Sequence, residues 1–409
     1  MVHLHALGLL ASASGLQLVA AQGASQTYAA TLAGLYNMPT STVLPFPSST
    51  IPAPTAQAFI TSGASSDGLG WSLSKGRLQN GGDNMAFVAD PFPSASLAKD
   101  PDVSASAYAE PVLRITYPAG SYSNHTGGGA QFVQLWNSTS NFQSMVLSYE
   151  VAFDANFDFV KGGKLPGLRG GPDILGCSGG KQPTGSDCFS TRLMWRTNGN
   201  GEGTNKKQKA SSAPDYVYLV YAYIRPVNGI CDSSLVRCND DFGISVNRGS
   251  FAFQSGTWNR ITMLVRLNSP ENVANGQLQL LWVFSSPVII SLRSNHAYRY
   301  AATTIYSPFH TMGYSINPIV VCRSKHNSLI IVASPLVNST FFGGEDSSWA
   351  SPKEQHTYFR NIRMWGSDAP SNMTGNRINA ASSIAVGFPV WLPISVGVMS
   401  AFAGALFVL

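Results

Sequence analysis

Charged side chains are scarce in this chain. Aspartate, glutamate, lysine and arginine make up 11% of its 409 residues, against about 25% in an average soluble domain. The net charge of +5 favours acidic ligands, but no lysine or arginine run approaches a nucleic-acid patch, which argues against DNA and RNA as partners. Acidic pairs are missing too. Glu150, Glu202 and Glu345 with Asp346 stand isolated, so the two-carboxylate arrangement of glycoside hydrolysis has no basis here. The seven histidines form no Ser-His-Asp pattern and no metal-binding motif, and no phosphate loop stands out; the expectation is chemistry without a metal or cofactor. Cysteine is limited to five residues. In an oxidising compartment that number implies two disulfides and one thiol left over. Cys177 with Cys188 and Cys231 with Cys238 are the expected pairs, because each closes a local loop beside a motif, and Cys322 is the remainder. Neither pair has Cys-x-x-Cys spacing or nearby histidines, which speaks against zinc.

Long stretches of helical periodicity are absent as well. Strand patterns recur instead: Val112 to Tyr117, Phe132 to Trp136, the alternating Met145, Leu147, Tyr149, Val151 and Phe153, the run Trp258 to Leu267, and Tyr358 to Trp365. Turns rich in Gly, Asn, Ser and Pro separate them. The reading is an all-β sandwich of two antiparallel sheets. Its polar surface is built from Ser, Thr, Asn and Gly, which suits a secreted protein whose partners are sugars.

The ends of the chain read differently. Leu7 to Ala21 is apolar and ends in small residues, so residues 1–21 are expected to be a signal peptide. Residues 22–56 follow as a Pro/Ser/Thr-rich arm, in which Pro39 to Thr55 should stay extended without packing a core. The domain is expected over 57–367 and a linker over 368–383. Residues 384–409 are apolar and uncharged with no Lys or Arg beyond them. They read as a glycolipid (GPI) attachment signal rather than a membrane span, with Asn379-Ala-Ala-Ser as the attachment site and residues 371–375 as the fallback. Four glycosylation sequons, at Asn124, Asn137, Asn338 and Asn372, agree with secretion. The expected state is a monomer anchored at the cell surface or wall.

Against this weakly charged background, cations cluster. Lys161, Lys164, Arg169, Arg192 and Arg196 fall within two short stretches rich in glycine and hydroxyls. Glycines admit a close partner, so the first stretch reads as a concave, positively lined loop whose partner is anionic.

These stretches, Gly162-Gly-Lys-Leu-Pro-Gly-Leu-Arg-Gly-Gly171 and Cys188-Phe-Ser-Thr-Arg-Leu-Met-Trp-Arg196, resemble the motifs of the family-14 polysaccharide lyases, particularly fungal members. Gly199-Asn-Gly-Glu202 and Phe341-Phe-Gly-Gly-Glu-Asp-Ser-Ser-Trp349 add to the resemblance, which runs from about Trp71 to Trp365. It implies a β-jelly roll and cleavage of a uronic-acid polymer, glucuronan or alginate-like, by β-elimination. That reaction needs a clamp for the carboxylate, a base for the adjacent proton and an acid for the leaving oxygen. By motif position, Lys164, Ser190 and Arg192 are catalytic candidates; like-charge repulsion from Arg192 would lower the lysine pKa and free it as a base. A Tyr-x-Tyr follows in relatives, and this chain offers both Tyr216-Val-Tyr218 and Tyr221-Ala-Tyr223. The latter leads directly to Cys231 and is assigned as catalytic. Tyr216 and Tyr218 join Lys161, Arg169 and Arg196 as substrate-binding candidates. Residues 203–220 and 284–337 depart from the family as insertions, either genuine loops or untranslated sequence carried into the chain. The competing reading is a non-catalytic, wall-anchored sugar-binding module that uses the same cationic groove.

Overall fold

The computed structural model describes residues 28–63, 71–72, 78–94, 97, 99–123, 126–136, 142–171, 173, 176–184, 187–196, 218–226, 230–232, 236–246, 253–270, 273–284, 311–319, 336–374 and 376–377. The expected signal peptide, Asn124, Asn137, Tyr216, Cys322, the attachment site expected at Asn379 and the apolar tail lie outside them, as does most of both suspected insertions.

Two antiparallel sheets carry the chain. The back sheet runs in the order Thr311–Ile319, Gly276–Phe284, Trp258–Arg266, Ser144–Phe153, Gln355–Ser367, Val112–Tyr117, Met85–Val88. The front sheet runs Val236–Arg237, Ile244–Val246, Tyr218–Tyr223, Phe189–Arg196, Gly162–Gly170, Leu336–Thr340, Ala130–Trp136, Trp71–Ser72. Side-chain alternation explains why they stack. Met145, Leu147, Tyr149, Val151 and Phe153 point inward from the back sheet, and Leu193, Trp195, Val220, Ala222 and Phe132 meet them from the front. Where the sheets meet, Tyr117, Phe153, Trp195 and Phe342 pack edge to face, with Trp195 and Phe342 centroids 5.5 Å apart.

The proline-rich arm is extended but does not stay clear of the core. Gln355–Ser367 is 13 residues long, but Val112–Tyr117 covers only its first half, through Phe359. The open edge beyond is filled by Thr40–Val43, in register from Thr40 opposite Gly366 to Val43 opposite Arg363. Leu44, Ala56 and Ile60 are buried in the main core, while Ala29, Leu32 and Met38 close a second cluster on the outer face of the back sheet. The packed unit therefore includes residues well before 57, from Ala29 on among the described ones. Composition suggested a solvated arm because it does not show that a long strand elsewhere lacks a neighbour. The second suspected insertion also contributes strands: Thr311–Ile319 pairs with Gly276–Phe284, and Leu336–Thr340 joins the front sheet.

Glu150, isolated in sequence, is the centre of an ion network on the outer face of the back sheet. Arg260 reaches its Oε1 at 2.7 Å and Arg360 its Oε2 at 2.7 Å. Asn361 has φ 53° and sits at a bulge between Arg360 and Arg363, which turns both Arg360 and Asn361 toward the same carboxylate. Asp90 and Asp100 hold Arg360 and Arg363 from a covering segment. Burial opposes the charge on Glu150, yet Arg260 and Arg360 outweigh it and hold the carboxyl below its ordinary 4.5.

A depressed carboxylate pKa means stability that is present above the unfolded pKa and lost as pH falls through the folded one. Glu150→Ala leaves three buried guanidinium groups to share Asp90 and Asp100 and is expected to cost about 3–5 kcal/mol at neutral pH. Thermal melts should show that deficit narrowing as pH drops below about 4.5. A deficit absent at neutral pH, or constant through the acid range, contradicts this role.

Candidate active site

The cation-bearing stretch around Lys164 is a strand, not the loop expected from its glycines. Gly162–Gly170 lies inside the front sheet, antiparallel to Phe189–Arg196. Its glycines serve close approach: a Cβ on Gly163 would stand 2.0 Å from the Trp195 ring, and one on Gly167 1.8 Å from the Thr191 carbonyl. The register shifts between Leu165 and Gly167, so Pro166, which has no N–H to give a ladder, occupies a bulge. The extra residue resets the alternation. Leu165 and Leu168 both enter the core, which leaves Lys164 and Arg169 on the outer face.

The neighbouring strands complete this face. Phe189, Leu193 and Trp195 point into the core, so Ser190, Arg192, Met194 and Arg196 point out. Val220 and Ala222 are likewise internal, and Tyr221 and Tyr223 are external, directly opposite Arg192 and Ser190 in register. Lys164, Arg192, Tyr221 and Tyr223 thus occupy one face of three adjacent strands.

Electrostatics here are unusual for so weakly charged a chain. Lys164 is half-buried with its Nζ 4.9 Å from the Phe341 ring centre. Burial, then Arg192, then Arg196 push its pKa well below the ordinary 10.5. Arg192 is only 3% exposed, and among the described residues its Nε and Nη2 have no hydrogen-bond partner. Burial pulls its pKa down, while Tyr221 and Tyr223 work the other way. Arg169 is pushed to about 10 by burial and by Arg192, and it donates to the Gly176 carbonyl. A buried guanidinium without an anion is costly, so this face is electrostatically incomplete as it stands.

Two loops set the tyrosines, the first closed by a disulfide and the second following one. Cys177–Cys188 and Cys231–Cys238 are both formed, as the loop lengths suggested. The Gly180 N–H donates to the Tyr223 hydroxyl at 3.0 Å, and the Gly243 N–H to that of Tyr221 at 3.1 Å. The two hydroxyls lie 3.3 Å apart. Burial, then Tyr223, raises the Tyr221 pKa above its ordinary value and keeps the phenol protonated. Ser190 is fully buried, and its hydroxyl donates to the Cys177 carbonyl at 2.6 Å; its proton is committed to holding the loop.

The other candidates are placed more loosely. Arg196 and Lys161 stand at one end of the face, their charges 5.7 and 5.8 Å from the Trp349 ring centre. Tyr218 begins its strand opposite Trp195. Asn338 lies in Leu336–Thr340, and the exposed Asn372 accepts from Arg266. Phe341, Trp349 and the N–H groups of Gly180 and Gly243 were missed in sequence. The first two sit in the late Phe-Phe-Gly-Gly motif, which was a findable signal; a backbone donor leaves none. Asp187 lies close to Cys177 and Cys188, but both sulfurs are spent in the disulfide, so the trio is no metal site.

The family model described as Polysaccharide lyase 14 matches residues 105–306 and 317–362, more than half of the chain and including all three strands of this face. Among solved structures, the marine PL-14 alginate lyase from Aplysia kurodai is 26% identical with a TM-score of 0.53, over 81% of this chain and 99% of that one. Alginate lyase vAL-1 from Chlorella virus is 18% identical with a TM-score of 0.46, over 78% and 99%. The endo-beta-1,4-glucuronan lyase from the fungus Trichoderma reesei is 8% identical with a TM-score of 0.35, over 68% and 89%. No curated protein matches at the sequence level. On the family match, the chain belongs to the polysaccharide lyase 14 family and is a polysaccharide lyase.

Proposed function

We propose that the protein cleaves a uronic-acid polymer, alginate or glucuronan, by β-elimination on the Lys164–Arg192–Tyr221 face. The observation that carries this reading is the Arg192 guanidinium, buried with two nitrogens unpartnered among the described residues. A uronate carboxylate supplies the missing acceptor with charge-assisted hydrogen bonds. The same contact neutralises the carboxylate, which acidifies the proton on the adjacent carbon. The alginate lyase from Aplysia kurodai, similar across nearly its whole length, supports the polymer class.

The proton steps follow from the two opposite shifts. Lys164, driven toward its neutral form, takes the C5 proton. The electron pair forms the C4–C5 double bond as the C4–O bond breaks, and Tyr221, kept protonated, gives its hydrogen to the leaving oxygen. The hydrogen bond from the Gly243 N–H steadies the resulting tyrosinate. Net transfer of a proton from Lys164 back to Tyr221 through solvent restores both groups. Tyr223 fixes Tyr221 from the side, and Ser190 acts by positioning the loop that contributes Gly180.

Export and surface attachment belong to the same proposal: the leader-like run at 1–21, the sequons, the uncharged tail at 384–409 and two disulfides all suit an oxidising exterior.

Incubation with alginate and glucuronan, followed by ultraviolet absorbance of the new unsaturated chain end, tests the reading. Lys164→Ala is expected to lower kcat by about 10²–10⁴ with the melting temperature little changed. Because Lys164 works only without its proton, the rate should climb with pH through a pKa well below 10.5. It should fall only at the high pH where Tyr221 ionises. An unsaturated product formed as fast by Lys164→Ala as by the parent would falsify the assignment of the base.

A further inference from the structure

We propose that Trp349, with Lys161 and Arg196, forms an outer subsite that binds a second uronate residue beyond the one being cleaved. The inference rests on the uronan-lyase reading and extends it to a specificity-determining residue. Trp349 ends the turn Ser347–Trp349, which Asp346 caps by accepting from the Ser348 N–H. Its ring is seated against Gly344, where φ is +90° and a Cβ would stand 2.0 Å from the indole, so only glycine fits beneath it. The turn is tied to the catalytic strand: the Gly343 N–H donates to the Gly162 carbonyl at 2.8 Å, and the Lys164 N–H to that of Phe341 at 2.9 Å. The half-buried indole is therefore a fixed platform.

Two cations lie over this ring. Lys161 Nζ lies 5.8 Å and the Arg196 guanidinium 5.7 Å from the indole centre. Lys161 also donates to the Ser348 hydroxyl, and Asp346 feels its charge. The indole holds both cations by cation–π attraction, and together they offer charge-assisted hydrogen bonds to a carboxylate; the set fits a uronate better than a neutral hexose. Position sets which uronate. Lys161 stands three residues from Lys164, and Arg196 pairs with Gly162, two residues from Lys164, so the cluster lies roughly 7–10 Å along the strands from the base at about 3.3 Å per residue. That separation places the cluster beyond the sugar being cleaved, so only a longer oligomer reaches both.

Defined alginate and glucuronan oligomers from trimer to hexamer, with the full-length protein and its Trp349→Ala and Trp349→Phe variants, test this subsite. Trp349→Ala is expected to raise KM for the hexamer about tenfold, leave kcat within about twofold and leave the trimer's KM unchanged; losing the ring that holds the two cations is of this size. Trp349→Phe should recover most of the loss. Lys161→Ala should weaken hexamer binding more at low salt than at high salt. An unchanged hexamer KM, an equal rise for trimer and hexamer, or a fall in kcat that phenylalanine does not restore would overturn the proposal. If the parent protein cleaves none of these oligomers, the lyase reading fails by itself. Calorimetric binding of the same oligomers then decides the subsite, which stands only if Trp349→Ala weakens the hexamer selectively.

Discussion

Everything at the candidate site depends on cations held out of water without an anion of their own. Arg192 and Lys164 share one face of adjacent strands, and burial is the largest influence on each. Taking a cation out of water is unfavourable unless an opposite charge replaces the solvent. Lys164 answers by losing proton affinity. Arg192 cannot lose its proton at ordinary pH, so its demand for an acceptor persists until a carboxylate arrives. The same placement that destabilises the empty face provides both the substrate clamp and the base.

The opposite side of the sandwich shows how the fold treats buried charge when no substrate is involved. There Arg260, Arg360 and Arg363 are matched by Asp90, Asp100 and Glu150, and Tyr108, Trp258 and Asn361 donate further hydrogen bonds to Glu150 and Asp90. In a chain with so few charged residues, the back sheet meets Arg260, Arg360 and Arg363 with carboxylates, while among the described residues Nε and Nη2 of Arg192 have no hydrogen-bond partner. The contrast marks the front face as functional. Its rigidity comes from glycines that bring backbones together, a bulge at Pro166 that sets the facing of Lys164 and Arg169, and a disulfide-braced loop that delivers the Gly180 N–H to Tyr223.

Much of this was legible before the structure, and the failures share a cause. Alternation in Met145 to Phe153 and Trp258 to Leu267 gave strands with the right inward faces, because period-two patterns are local. Tyr221 and Tyr223 were assigned to one site with Arg192 and Ser190 by family motif, and strand register sets the two pairs opposite each other. Glu150 was misjudged as isolated because its arginines lie 110 and 210 residues away and meet it only through strand register. The proline-rich arm was misjudged because the open edge it fills belongs to Gln355–Ser367, at the far end of the chain. Glycines in Gly162–Gly170 suggested a loop; their task is close packing between strands, and no single-residue propensity distinguishes the two.

The proton affinity of Lys164 tests the central claim most directly. With lysine side chains isotopically labelled, the Lys164 resonance can be assigned by comparison with Lys164→Arg and followed by nuclear magnetic resonance through a pH titration of the free protein. The account predicts a midpoint well below the ordinary 10.5, moving back toward it in Arg192→Ala, which removes the nearest cation. A midpoint at or above 10.5 that does not respond to the loss of Arg192 would contradict it.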